Sequence, residues 1–442
     1  MVKNVQDTIQ PKRRRDLDAM GGLVVLGLIF FHSARIFDTG DFYVKNEPTS
    51  DLVTAVLAFA VTWAMPLMFL MAGMAVWYSL RKRTAGQFAM ERIRRLLIPL
   101  VFGILVLIPP QVYIRLSGDP AYSESYWDFL ASFFDVEIRL TEFPFIVVAT
   151  PERGLFEPGQ LWFLICLFAF SLVLLPVFLY LRRPAGNRAL TRGADFLARP
   201  WAIFLLATPL MLIQVLLGGE VRLAAWNRYS YLLFILYGFV IAADRRFGHT
   251  FQRNWKSATI LGLLTFLSGL TLYIIASESA GADPFEDNDL TSLSFRFVYS
   301  LSGWLWIVAI LGLAGRLTHP LRRREPAGAP SAPAGDTFDG ASSQVFEPSS
   351  QPSLMDRIMR YASEAQLPIY VLHQTIIVAI GFFVVTWGLD WPLKYLVIAL
   401  ATLVATLGLY DVLVRRTQLT RFLFGMKPLR KERAAVPAAR AG

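Results

Sequence analysis

The sequence predicts an all-α, polytopic transmembrane helical bundle of about ten helices, with both termini cytoplasmic, and three observations carry that expectation. The 442 residues are 55% hydrophobic and only 17% charged, with a mean hydropathy of +0.47, whereas a soluble domain carries about a quarter charged residues. The apolar residues fall into blocks near the ~20 residues needed to cross hydrocarbon as a helix. Basic runs recur in alternate connections, as Arg81-Lys82-Arg83, Arg182-Arg183, Arg245-Arg246 and Arg322-Arg323-Arg324. Lys and Arg near helix ends mark the cytoplasmic side.

The blocks follow in order. The first, 21–37, comes after Lys12-Arg13-Arg14-Arg15, which looks like the start of a signal peptide. The apolar run continues through Ile36, and Ser33-Ala34 is a poor cleavage site, so the block reads as an uncleaved helix. The second, 52–79, is long; Pro66 is expected to kink it. Met65, Met68, Met71 and Met74 recur along it every three residues, as adaptable packing or as the wall of an acyl groove. The third, 96–114, opens on the basic ERIRR run. The fourth, 160–181, holds Cys166, the single cysteine, which excludes a disulfide framework and a thiolate metal site. Blocks at 200–218, 229–243, 257–276 and 295–314 complete a first group of eight, and 367–387 and 391–414 form a final pair.

This divides the chain into a basic cytoplasmic N-terminus at 1–20, a membrane domain at 21–314, a cytoplasmic linker at 315–366, the last two helices of the membrane domain at 367–414 and a basic tail at 415–442. Residues 321–353 are rich in Pro, Ala, Gly and Ser with little to pack, so the linker is expected to be largely disordered. The net charge of +10 then reports orientation against anionic lipid and requires no nucleic acid. A multi-pass location in the inner (plasma) membrane is expected. Residues 116–158 form the longest outer connection, with Tyr122, Tyr126, Trp127, Phe129, Phe133, Phe134, Phe143 and Phe145 among several carboxylates. Such aromatics form either an interfacial belt or a surface on which sugar rings stack.

An ionisable side chain at membrane depth is costly and usually faces a polar cavity, which singles out His32 in the first helix and His373 near the start of the ninth. Arg35 and Asp38 follow His32 at three-residue spacings, so all three can share one helix face. A neutral His32 is suited to act as a general base; alternatively it is a histidine hydrogen-bonded across helices as packing. Arg92, Arg94 and Arg95 are either positive-inside anchors or guanidinium forks for phosphates.

Five stretches carry a resemblance: LDAMGGLVVLGLIFFHS at 17–33, MPLMFLMAGM at 65–74, ERIRRLLIPLVFGILVLIPPQVYI at 91–114, QLWFLICLF at 160–168 and LPIYVLHQTIIV at 367–378. Together they resemble the acyltransferase 3 family of integral membrane acyltransferases and, within it, the branch of glucan biosynthesis protein C, a periplasmic glucan succinyltransferase. The resemblance implies that His32 is catalytic, a role that Arg35 and Asp38 would support by their spacing, and that Arg92 and Arg95 bind acyl-CoA. Tyr370 and His373 match a late YxLH pattern, and with Glu157, Gln160 and Trp162 they make up the candidate acceptor or second-site set. Two positions depart from the family: Gly21 stands where many members have an arginine eleven residues before the histidine, with Arg13 to Arg15 as the nearest compensation, and Gln160 replaces the usual histidine before LWF.

The implied reaction moves an acetyl or succinyl group from cytoplasmic acyl-CoA, a co-substrate rather than a bound cofactor, to a hydroxyl of a cell-envelope carbohydrate, without a metal. Two rivals are a glycan or lipid transporter that uses His32, Arg35 and His373 as a proton relay, and a non-catalytic partner of a polysaccharide synthase.

Overall fold

The computed structural model describes residues 15–218, 222–278, 283–323 and 354–429. The expectations for residues 1–14, for the core of the linker at 324–353 and for the end of the tail lie outside these residues. In chain order the helices are α1 (Arg15–Ala34), α2 (Asp51–Leu80), α3 (Ala85–Arg92), α4 (Ile98–Phe102), α5 (Ile108–Ser117) and α6 (Tyr126–Phe133), then α7 (Trp162–Val173), α8 (Leu175–Leu181), α9 (Pro184–Leu197), α10 (Ala207–Leu217) and α11 (Arg228–Ala243). There follow α12 (Arg246–Ser277), α13 (Leu290–Arg323), α14 (Leu354–Val384), α15 (Trp391–Leu409) and α16 (Gln418–Leu423). Strands among the described residues form two small antiparallel hairpins, β1 (Val136–Ile138) with β2 (Val147–Ala149) and β3 (Arg222–Leu223) with β4 (Trp226–Asn227).

Among the described residues, six segments are long and apolar enough to cross a membrane: Asp51–Leu80, Ala85–Ser117, Arg246–Ser277, Leu290–Leu317, Arg360–Val384 and Trp391–Val414. Gly159–Val173 with Leu175–Leu181 makes a seventh if that pair, bent by 49°, is one span. Gly21–Ala34, Ala202–Leu217 and Arg228–Ala243 are apolar but shorter.

Local chemistry explains several boundaries. Ser50 caps α2 by accepting from the Val53 amide. Thr84 and Gln87 form a reciprocal capping box at the start of α3, which satisfies two amides that have no intrahelical partner. The helix from 85 to 117 is broken twice by π turns, Ile93–Leu97 and Gly103–Leu107. Proline follows each: Pro99, and Pro109 with Pro110. Proline supplies no N–H and clashes with the preceding turn, so the ladder relaxes to i→i−5 bonds from Ile98 to Ile93 and from Ile108 to Gly103.

Helix also takes the edges of the expected linker, since α13 runs to Arg323 and α14 starts at Leu354, and α16 lies within the expected tail. The amphipathic α9 carries no apolar block, which is why hydropathy alone passes over it.

The described residues form two compact units, drawn from the stretches that follow. The first comprises Met1–Gly21, Thr62–Met71 and Arg183–Ser363, and the second Gly22–Val61, Ala72–Arg182 and Glu364–Gly442. In the first, Trp226 of the β3–β4 hairpin is fully buried and donates from its indole to the Thr62 carbonyl at 3.1 Å. A Cβ at Gly303 would lie 2.4 Å from that ring and 2.7 Å from the Thr62 oxygen. Neither is the end of a flexible side chain, so Gly303→Ala is expected to destabilise the protein by at least the ~1–3 kcal/mol typical of overpacking. Thermal unfolding in detergent checks this; an unchanged Tm would show that the site can yield.

Candidate active site

The second unit holds the candidate residues. Its packing explains why α1 and α14 present their histidines to each other. Ile377 lies four residues, about one helical turn, after His373 on α14, and Ile36 lies in the turn that follows α1, four residues after His32. Ile36 and Ile377 are both fully buried in one apolar cluster with Phe37, Val53, Leu57, Val384 and Ile398. Gly381 makes room: a Cβ there would come within 2.7 Å of the Ile36 side chain. Within a bilayer such close contact, rather than transfer from water, drives helix association.

The His32 and His373 rings are 5.2 Å apart at an interplanar angle of 50°. His373 is 1% exposed. Its Nδ1 lies 2.7 Å from the Tyr370 carbonyl and 3.2 Å from that of Ile369. A carbonyl only accepts, so Nδ1 carries the proton and donates, leaving Nε2 with its lone pair. Nε2 is buried without a hydrogen-bond partner among the described residues, as are His32 Nδ1, Ser33 Oγ, Gln160 Oε1 and Gln374 Oε1. Buried polar atoms are nearly always satisfied, so the unpartnered nitrogens of the two neighbouring histidines mark a place for a polar ligand.

The wall behind His373 is built from the second π turn. The Leu107 carbonyl accepts from Gln111 Nε2 at 3.0 Å and from Thr375 Oγ1 at 3.0 Å. Gln111 also donates to Thr375 Oγ1 at 2.7 Å and accepts from Gln374 at 3.3 Å. Such π turns are frequent at functional sites. On the other side the Tyr370 hydroxyl donates to the Gln160 carbonyl, and Gln160 Nε2 donates to the Val371 carbonyl at 3.3 Å. Gln160 thus anchors α14 through both backbone and side chain. Trp162 opens α7 and meets Phe163 edge-on at 6.4 Å.

Arg35 and Asp38 differ from the shared helix face expected for them. The helix ends at Ala34, and the chain turns, with the Phe37 amide donating to the Ala34 carbonyl at 2.9 Å. Arg35 pairs with Asp38, which is 1% exposed. Asp38 also holds Lys45 Nζ at 2.8 Å, a partner that the spacing did not reveal. Arg35 reaches His32 through Phe42: its guanidinium lies 5.9 Å from the Phe42 centroid, and Phe42 stacks at 6.4 Å on His32. The loop is pinned from α15 by Lys394, which donates to Asn46 at 2.9 Å and to the Val385 carbonyl at 2.8 Å.

Arg92 and Arg95 are not in contact with the histidines among the described residues. The Arg92 guanidinium packs on Phe88 at 4.6 Å, and its Nε is buried without a partner among the described residues. Arg95 is more exposed and lies 3.7 Å from Glu91, which also pairs with Arg83 at 2.9 Å. The first π turn and Pro99 leave the Arg95 carbonyl without its usual donor. Gly425, at φ +65°, packs so closely that a Cβ would sit 2.8 Å from that oxygen. Phe424 meets Phe102 at 5.2 Å beside it. The C-terminal segment is therefore docked on the arginine-bearing helix.

Glu157 pairs with Arg115 at 3.1 Å, one turn of chain away from Gln160. The aromatics of 116–158 divide: Phe129 and Phe133 are fully buried in the loop's own core, while Trp127 is 77% exposed.

Comparison with known proteins found no match among curated proteins or solved structures. One family model does match, an acyltransferase domain of the acyltransferase 3 type, over residues 14–411. That span takes in α1 to α15 and includes both histidines, so the chain belongs to this family of acyltransferases and is a membrane protein that transfers acyl groups.

Proposed function

We propose that the protein transfers an acetyl or succinyl group from cytoplasmic acyl-CoA to a hydroxyl of a cell-envelope carbohydrate, within the inner membrane. The observation that best supports this is the His32–His373 pair, two imidazoles 5.2 Å apart, each with a buried, unpartnered nitrogen among the described residues. In this reading His32 takes the proton from the acceptor hydroxyl as its oxygen attacks the thioester carbonyl. The C–S bond breaks, the ester forms, and the imidazolium returns the proton to the departing thiolate. Such a base typically contributes ~10²–10⁴-fold. His373, with its proton committed to the backbone, offers Nε2 as a second acceptor beside it.

Arg92 and Arg95 would hold the CoA phosphates. A hydrogen bond to a charged group is worth about 1.5–3 kcal/mol, or one to two decades of affinity. Arg92→Ala and Arg95→Ala are therefore each expected to raise the KM for acyl-CoA about ten- to a hundredfold, and to move that for the acceptor much less. Unchanged donor kinetics would return both to the role of membrane-surface anchors.

The function itself is tested by thiol release from acetyl-CoA and succinyl-CoA by the purified protein in nanodiscs with carbohydrate acceptors. Acceptor-dependent release supports the reading. Glycan or lipid flux across liposomes with no thiol release would replace it with a transporter.

A further inference from the structure

The loop after α1 and the connection 116–158 come together where Tyr43 and Glu157 meet Arg115 of α5, and of these three only Glu157 is in the candidate acceptor set. The Arg115 guanidinium lies 5.4 Å from the centroid of the Tyr43 ring and pairs at 3.1 Å with one oxygen of Glu157. The other oxygen, Oε1, is buried and has no hydrogen-bond partner among the described residues. Burial, and then the facing Glu157 carboxylate, push the Tyr43 hydroxyl well above its ordinary value, so it remains a proton donor at any physiological pH.

The backbone beside this cluster packs closely against the Tyr43 hydroxyl. Gly159 has φ +49°, and a Cβ there would fall 3.0 Å from the Tyr43 hydroxyl and 2.9 Å from Ile108. A side chain at 159 would be both strained and lodged against that hydroxyl. A simple latch between loops would need the ion pair alone. It would not explain why Glu157 Oε1, beside the Tyr43 hydroxyl, is buried without a hydrogen bond among the described residues.

The cluster also adjoins the histidine pair on two sides. Phe42, the neighbour of Tyr43, stacks on His32 at 6.4 Å. Gln160, the neighbour of Gly159, accepts from Tyr370, whose ring is 5.9 Å from His373. The Tyr43 and Phe42 rings are 5.5 Å apart, so one ring stands between the cluster and His32.

We propose that Tyr43, Arg115 and Glu157 form the acceptor subsite, binding a sugar ring of the carbohydrate so that a neighbouring hydroxyl is presented to His32; this rests on the carbohydrate reading given above. Glu157 Oε1 accepts one sugar hydroxyl. Arg115 holds the carboxylate ionised and in place, and the Tyr43 hydroxyl donates to another sugar oxygen. Such a set recognises a neutral polyhydroxylated ring, and the fixed carboxylate repels an acidic one.

The test uses the purified full chain in nanodiscs, with acetyl-CoA as donor and maltohexaose and laminarihexaose as acceptors in parallel. Glu157→Gln keeps the shape of the side chain, removes its charge and should raise the acceptor KM at least tenfold, with the donor KM within twofold. Gly159→Ala changes no polar group, and should also raise the acceptor KM by intruding on the Tyr43 hydroxyl. Tyr43→Phe should have a smaller effect of the same kind. An unchanged acceptor KM in a folded Glu157→Gln protein would overturn the subsite. So would a fall in Tm and in donor and acceptor kinetics together in all three variants, which is the signature of a latch. If the wild type esterifies neither oligosaccharide nor any other carbohydrate, the functional reading fails instead, and that is seen before any variant is made.

Discussion

His32→Ala is expected to lower the turnover of acyl transfer by two decades or more while leaving donor affinity nearly unchanged. The ring sits on the last turn of α1, and the Ile36 and Phe37 cluster just beyond it fixes the helix end without using the imidazole. The substitution therefore removes a group that acts in the transition state and little that holds the fold. A fall in kcat with an unchanged donor constant is the pattern of a lost transition-state interaction. The limb of the pH–rate profile that rises as the base loses its proton should vanish with it. A stable His32→Ala protein that still esterified the acceptor at the wild-type rate would assign this histidine to packing.

A comparable loss is expected at His373, for a different structural reason. Its Nδ1–H serves the Tyr370 and Ile369 carbonyls, so alanine removes both a base nitrogen and a donor, and some loss of Tm should accompany the loss of rate. His373→Asn keeps an N–H for those carbonyls and discards the basic nitrogen. If Nε2 takes part in proton transfer, His373→Asn should recover Tm and remain ten- to a hundredfold slow, in line with the ~10²–10⁴ worth of a positioned base. Groups that act as one unit give non-additive losses, so adding His32→Ala to His373→Asn should cost little more than the worse of the two. Full activity in the Asn variant would confine His373 to a structural role.

Much of this arrangement was legible in the sequence because it rests on one-dimensional signals. A histidine inside an apolar block is conspicuous, so the sequence alone singles out His32 and His373, whose rings lie 5.2 Å apart. The long apolar helices were legible for the same reason. The contacts that cross the sequence were not. Lys45 reaches Asp38 over seven residues of irregular loop, where no periodicity places it. The Gln111–Gln374–Thr375 network joins residues more than 260 positions apart, although the π turn behind it had a local cue in Pro109-Pro110. The spacing of Arg35 and Asp38 predicts a shared helix face, yet the helix ends at Ala34, because threefold spacing is compatible with a helix but does not require one. Docking of Gly425 on the Arg95 carbonyl depends on a positive φ and a freed oxygen, and hydropathy reports neither.

The most direct test of acyl transfer at the histidine pair follows an isotopically labelled acyl group from acyl-CoA through one purified preparation in nanodiscs. The wild type should yield one labelled saccharide ester for each thiol released, and a folded protein carrying both His32→Ala and His373→Asn should yield neither above background. Labelled ester formed at the wild-type rate by that folded double variant would contradict the account.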